Sequence, residues 1–121
     1  MKKTPVTFAS AKSNPNLGVV TDIAPDELVK KLDAVHLIDV RRPDEFNGEL
    51  GHIPGSKLIV LDTLPEHIES LPKDEPIVFI CRSGGRSGQA TAFALQNGFE
   101  HVFNMQGGML KWNELGLQTE K

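Results

Sequence analysis

A thiol, two guanidinium groups and two hydroxyls fall together in the run Cys81-Arg82-Ser83-Gly84-Gly85-Arg86-Ser87, and Cys81 is the only cysteine of the chain. Directly before it stands the apolar run Ile77-Val78-Phe79-Ile80, as expected of a strand covered on both faces. Directly after it the pattern turns helical. A thiol leaving a buried strand is held rigidly at the sheet edge. Gly84 and Gly85 let the backbone fold tightly around it, and the first amides of the following helix point at an anion or anionic sulfur placed there. Arg82 and Arg86 add fixed positive charge, so the surroundings favour the nucleophilic thiolate over the thiol. Arg86 falls in the first helical turn, where a cation works against the helix dipole, which suggests an anion for it to bind. Ser83 and Ser87 can donate to sulfur or to substrate oxygens, and equally can cap or turn the chain. The competing role for such a cysteine is a small buried hydrophobe, but that role needs no arginine on either side of a glycine pair.

A second group ends another apolar strand, Val35-His36-Leu37-Ile38-Asp39-Val40, and is followed by Arg41 and Arg42. Ligands of open α/β sheets sit outside the carboxyl ends of the strands, so the Cys81 and Arg41 loops are expected to face one pocket. Arg41 stands nearer the strand end than Arg42 and is the preferred substrate ligand of the two. Asp39 is read as structural, fixing the loop or pairing with an arginine. His36, His52, His67 and His101 are scattered without the spacing of a metal site, and no dinucleotide or Walker-type loop is present. No metal and no cofactor are expected. One cysteine provides neither an intramolecular disulfide nor a resolving thiol.

Positioning these groups requires an alternation of strands and helices, and the punctuation for it is legible. Residues 1–16, rich in Lys, Ser, Thr, Asn and Pro, read as a flexible N-terminal arm, and residues 17–121 as one domain. Leu17-Gly18-Val19-Val20 is a first strand candidate. Pro25 opens a helix with Asp26 and Glu27 in its first turn and Lys30 and Lys31 in its last, matching the helix dipole. Pro43 starts a short helical turn ending near Gly48, and Lys57-Leu58-Ile59-Val60 follows as a strand. Leu61, Leu64, Ile68 and Leu71 recur at helical spacing until Pro72. The helix after the cysteine is apolar almost all round and is expected to be buried, with Asn97-Gly98 ending it. His101-Val102-Phe103 is a last strand, and Met109, Trp112 and Leu115 mark a final helix. Strands and helices alternating at this pace imply parallel pairing through crossover helices. The predicted class is α/β in three layers, a central parallel sheet with helices on both faces.

Length and composition set outer bounds. At 121 residues, 39% apolar and 24% charged, the chain suits one domain with a real core. The net charge of -3 gives no global preference for nucleic acid or an anionic membrane. Met1-Lys2-Lys3 is not followed by an apolar signal segment, and no stretch reaches spanning length, so a cytoplasmic location is expected. No heptad or apolar stripe forces association, which points to a monomer or a weak homodimer.

Four segments together resemble the rhodanese family of sulfurtransferases in its single-domain form: Asp39-Val40-Arg41, Gly51-His52-Ile53-Pro54-Gly55-Ser56, Cys81 to Ser87, and Asn104-Met105-Gln106-Gly107-Gly108-Met109 with Trp112. The similarity covers residues 17 to 117. It implies the rhodanese fold, and a Cys81 that takes a sulfane sulfur from a donor such as thiosulfate and holds it as a persulfide. The sulfur then passes to cyanide or to a thiol, including a protein thiol. Backbone amides from Arg82 to Ser87 would cradle the persulfide, and Arg82 and Arg86 would recruit the anionic donor. The related cell-cycle phosphatases and arsenate reductases resemble this pattern with five residues between cysteine and arginine. Here Cys81 and Arg86 are separated by four, a narrower cradle suited to one sulfur atom. The alternative within the family is a non-enzymatic module that carries sulfur or binds a protein.

Overall fold

Short elements follow from frequent prolines and glycines, and the computed structural model describes residues 2–121 of the chain. The strands are β1 (Lys12–Ser13), β2 (Thr21–Ile23), β3 (His36–Asp39), β4 (Lys57–Leu58), β5 (Ile77–Ile80) and β6 (Val102–Met105). The helices are α1 (Pro25–Leu28), α2 (Pro43–Phe46), α3 (Leu64–His67), α4 (Gly85–Gln96) and α5 (Gly108–Glu114), with 3-10 turns extending α1 and flanking α3. They form an α/β fold around a six-stranded sheet ordered β1-β2-β6-β5-β3-β4. All pairings are parallel except β1 with β2, so the parallel sheet expected from sequence carries an antiparallel edge.

Period-two alternation along the two central strands sorts the core into two layers. Ile77 and Phe79 of β5 and Ile38 of β3 pack with Leu64, Ile68, Ala90 and Ala94 from the α3 and α4 side. Val78, Ile80 and Leu37 point the other way, toward Leu28, Met109 and Trp112 of α1 and α5. A strand buried on both faces must be apolar at every position, which is why β5 reads Ile-Val-Phe-Ile. From β3 the chain continues outward to β4, and from β5 it continues to β6 on the other side. The two central strands therefore flank the point where the winding reverses, where α/β sheets place their ligands.

Four expectations need correction. The first strand lies at Thr21–Ile23 rather than at Leu17 to Val20, because Val19 is solvent-exposed and only Val20 and Ile23 of this stretch reach the core. The N-terminal arm is not free of the domain. Phe8 is buried edge-on against Phe103 at 5.1 Å between ring centroids, and β1 adds an edge to the sheet. Glu27 accepts the amides of Ala9 and Ser10 and the Ser10 hydroxyl, and those bonds hold its carboxyl down at about 2. Met1, included in the predicted arm, lies outside the described residues. Finally, α4 is buried along a stripe of small residues (Ser87, Gly88, Ala90, Thr91, Ala94), while Phe93 and Leu95 are half-buried. Leu115 lies beyond α5 and is exposed. Among the described residues, no helix is long and apolar enough to cross a membrane.

If the leading segment is part of the body, Phe8→Ala lowers unfolding stability by about 3 kcal/mol, measured by urea denaturation. A loss below about 0.5 kcal/mol, the ordinary value for a surface change, would return the segment to a free arm.

Candidate active site

Cys81 continues the alternation of β5, following Ile77 and Phe79 on the α3 and α4 face, and is only 1% exposed. The chain then turns through Gly84, whose φ of +105° is open to glycine and strained for other residues. That conformation brings the Gly84 amide to 3.0 Å from Cys81 Sγ, which accepts its hydrogen bond. The Ser87 hydroxyl, one turn into α4, stands 3.2 Å from the same sulfur. Of the cradle expected from Arg82 to Ser87, these two groups touch the sulfur directly. The amides of Gly85, Arg86 and Ser87 form the first turn of α4, where backbone donors have no partner within the helix.

A clamp from the opposite face of the sheet holds the loop. The Met109 amide donates to the Cys81 carbonyl at 2.8 Å, and the Leu110 amide to the Arg82 carbonyl at 3.0 Å. The first turn of α5 thus places two unpaired donors on the two peptide oxygens at the loop's start. So close an approach is possible only because Gly108 has no side chain, since a Cβ there would overlap the carbonyls of Cys81 and Arg82. Gly107 and Gly108 are also both left-handed, at φ +79° and +58°.

The arginines divide into two kinds. Arg41, expected as a substrate ligand, is 1% exposed and turned inward. It forms a two-pronged pair with Asp39, at 2.9 and 2.8 Å, and donates to the carbonyls of Glu45 and Gly51. With its donors taken up there, Arg41 braces the loop after β3 and does not present a free fork to a ligand. Asp39 is its buried partner. Arg86 does stand at the mouth, but its fork grips Glu45 at 2.7 and 2.8 Å. Arg86 first, helped by the Arg42 amide, holds the Glu45 carboxyl down at about 2. Glu45 in turn pushes the Arg86 guanidinium further up, with a smaller contribution from the Cys81 sulfur. Arg82 and Ser83 are exposed, Gly85 likewise, and Arg82 has no ion-pair partner among the described residues.

The loops after β3 and β5 therefore do meet, through Arg86 and Glu45 rather than through Arg41. A cavity of about 420 Å³ opens beside that pair, lined by Val40, Arg42, Asp62 and Arg86 among others. Sequence reading missed Glu45 because α2 was visible only as a helical turn, and nothing local ties it to an arginine 41 positions later. Asn104 enters the sequence reading only as the head of the fourth segment of the resemblance, and the one local signal of its contact with Ser87 is a carboxamide between Phe103 and Met105 in a strand pattern. The buried Ser87 hydroxyl also lies 2.5 Å from Asn104 Oδ1, and Asn104 Nδ2 donates to the buried Asp22 carboxylate at 2.9 Å.

A family model described as a rhodanese-like domain matches residues 24–115. A sulfurtransferase of Allochromatium vinosum is 35% identical over 82% of this chain and 94% of its own length. A thiosulfate sulfurtransferase GlpE of Pseudoalteromonas translucida is 34% identical over 71% of this chain and 79% of its own. Among solved structures, a rhodanese-related protein from Thermoplasma volcanium superimposes with a TM-score of 0.74 at 31% identity, covering 80% of this chain and 94% of that one. A rhodanese-like domain protein from Staphylococcus aureus gives 0.71 at 35% identity, covering 83% and 98%.

Two outcomes test this arrangement. The Glu45 carboxyl is held at about 2 in the fold against an ordinary 4.5, so its contribution is full above about pH 5 and fades as pH falls toward 2. Glu45→Gln is expected to lose about 1 kcal/mol or less at neutral pH, because both side chains are partly solvated. The gap to the parent protein should close in acid, and a gap that persists unchanged at low pH would contradict the ion pair. Gly108→Ala is expected to cost more, about 2 kcal/mol or above, through overlap and left-handed strain. Chemical denaturation measures both, and a neutral Gly108→Ala would remove the clamp from the account.

Proposed function

We propose that this chain, which belongs to the rhodanese-like family, is a sulfurtransferase that moves a sulfane sulfur through a persulfide on Cys81. The observation that carries the reading is a single cysteine at the carboxyl end of β5, with a backbone amide donating to its sulfur and a hydroxyl that can turn its hydrogen toward it. Donors placed there stabilise negative charge on sulfur, in the attacking thiolate and in the persulfide that follows.

The chemistry closes on simple reagents. The Cys81 thiolate attacks the outer sulfur of thiosulfate, an S–S bond forms to Cys81, and the original S–S bond breaks with its electron pair leaving on sulfite. Cyanide or an external thiolate then attacks the outer sulfur. Thiocyanate or a new persulfide departs, and the Cys81 thiolate is restored. Each half is a displacement without net redox change beyond the transferred sulfur, so the absence of a second cysteine from the chain is no obstacle. Exposed Arg82 draws a small anionic donor to the loop. Arg86 adds positive potential next to the sulfur while remaining tied to Glu45. Sulfur relatives described above as a sulfurtransferase and a thiosulfate sulfurtransferase support thiosulfate as the first donor to try.

Incubation with thiosulfate and removal of excess reagent should leave a protein heavier by one sulfur atom, by intact mass spectrometry. Cyanide should discharge it as thiocyanate, and Cys81→Ala should take up none. Failure of every sulfane donor to load the parent protein would leave a non-catalytic binding module as the better description.

A further inference from the structure

We infer that Asn104 is a positioning residue that decides which way the Ser87 hydroxyl donates, and so sets how readily Cys81 becomes a thiolate; the inference builds on Cys81 as the reactive sulfur. The Ser87 hydroxyl has one hydrogen and two acceptors within reach, Asn104 Oδ1 at 2.5 Å and Cys81 Sγ at 3.2 Å. The shorter bond takes the hydrogen.

The direction of that bond is fixed by a chain of side chains that cannot turn round. A carboxamide can flip only if its new partners suit it. Asn14 Oδ1 accepts the backbone amides of Asn16 and Leu17, at 2.8 and 2.9 Å, so Asn14 must present its Nδ2 to Asp22. The Asp22 carboxylate, 3% exposed, can only accept, and it takes Asn104 Nδ2 at 2.9 Å. Asn104 is left with its oxygen toward Ser87. One polarity therefore runs from the turn at residues 14–17, through β2 and β6, to the sulfur at the end of β5.

This chain has a chemical consequence at Cys81. While the hydroxyl hydrogen is committed to Asn104, the Ser87 oxygen offers the sulfur a lone pair and accommodates an S–H group. Once Cys81 is a thiolate, or carries a persulfide anion, the hydroxyl stabilises it only by turning its hydrogen from Asn104 to sulfur. Asn104 competes with that turn. It restrains the thiolate until the hydroxyl is drawn away, and Asp22 with Asn14 sets its orientation without touching the sulfur. The charged groups near this network are Asp22 within it, Arg82 next to the cysteine, Arg86 beside the sulfur with its partner Glu45, and Asp39, opposite Ile80 on β3, with its partner Arg41. Substitutions at Ser87 and Asn104 leave those pairs in place.

The test is the pH profile of Cys81 alkylation by iodoacetamide on the full chain, where the pH-dependent signal comes from one thiol. Ser87→Ala removes the donor, and its profile should move to higher pH by about 0.5–1 unit. Asn104→Val leaves the sulfur as the sole acceptor for Ser87, and its profile should move to lower pH by a similar amount. The double variant should match Ser87→Ala alone, because Asn104 acts through the hydroxyl. A pocket of about 380 Å³ lined by Asn14, Asp22 and Asn104 admits water to replace the lost donor to Asp22. Should Asn104→Val not fold, Asn104→Ala is read in the same way. An upward or absent shift in the Asn104 variant, or a double variant unlike Ser87→Ala, overturns the inference. So does a Ser87→Ala profile that does not move. Alkylation uses no sulfur donor, so these outcomes stand apart from failure to load sulfur from thiosulfate.

Discussion

Two backbone hydrogen bonds, from the Met109 and Leu110 amides to the Cys81 and Arg82 carbonyls, fix the shape on which the site rests. They connect opposite faces of the sheet, since α5 packs on one side and the loop feeds α4 on the other. A helix start has donors without partners and a strand end has carbonyls beyond its ladder. Bringing the two together satisfies both, and it directs the Cys81 peptide so that the chain can return its Gly84 amide to the sulfur. The condition is two consecutive left-handed residues with no Cβ, which explains the Gly107-Gly108 pair better than any turn propensity does.

Around that clamp the charges are arranged as braces. Arg41 crosses from the end of β3 to the carbonyls of Glu45 and Gly51, and Asp39 neutralises it where water is excluded. Removing either partner alone would leave a buried charge without compensation. Arg86 and Glu45 make a second, partly solvated tie between the start of α4 and α2. The same carboxylate accepts the Arg42 amide, and the Glu45 carbonyl accepts Arg41. Glu45 thus joins the loops after the two central strands, and the positive potential at the mouth comes from a guanidinium that is held in place rather than free to swing.

Much of this was legible in the sequence because it is local. The continuous apolar run of β5, the glycines after it and the prolines opening α1 and α2 are signals within a few residues, and they placed the thiol at a strand end. The arginine roles were harder, because a guanidinium near a strand end looks alike whether it faces solvent or a carboxylate two positions back. Arg41, expected to face a ligand, lies inward for that reason. The Asp22 to Asn104 bond spans 82 positions and the Arg86 to Glu45 pair 41, and no periodicity encodes such meetings. The N-terminal segment misled through composition. Its polar residues resemble a linker, while a single aromatic, Phe8, and the carboxylate of Glu27 are enough to bind it to the domain.

The enclosure of Cys81 has a bearing on how the protein meets oxygen. A disulfide needs two sulfurs within about 2 Å along a defined dihedral angle. A sulfur that is 1% exposed, at the base of a loop ringed by its own backbone, cannot be approached that closely by the same sulfur of a second molecule. The chain holds no other cysteine with which to pair. Air oxidation therefore has no route to covalent dimers while the loop keeps its shape, and the reagents that reach this thiol are sorted by size before they are sorted by charge.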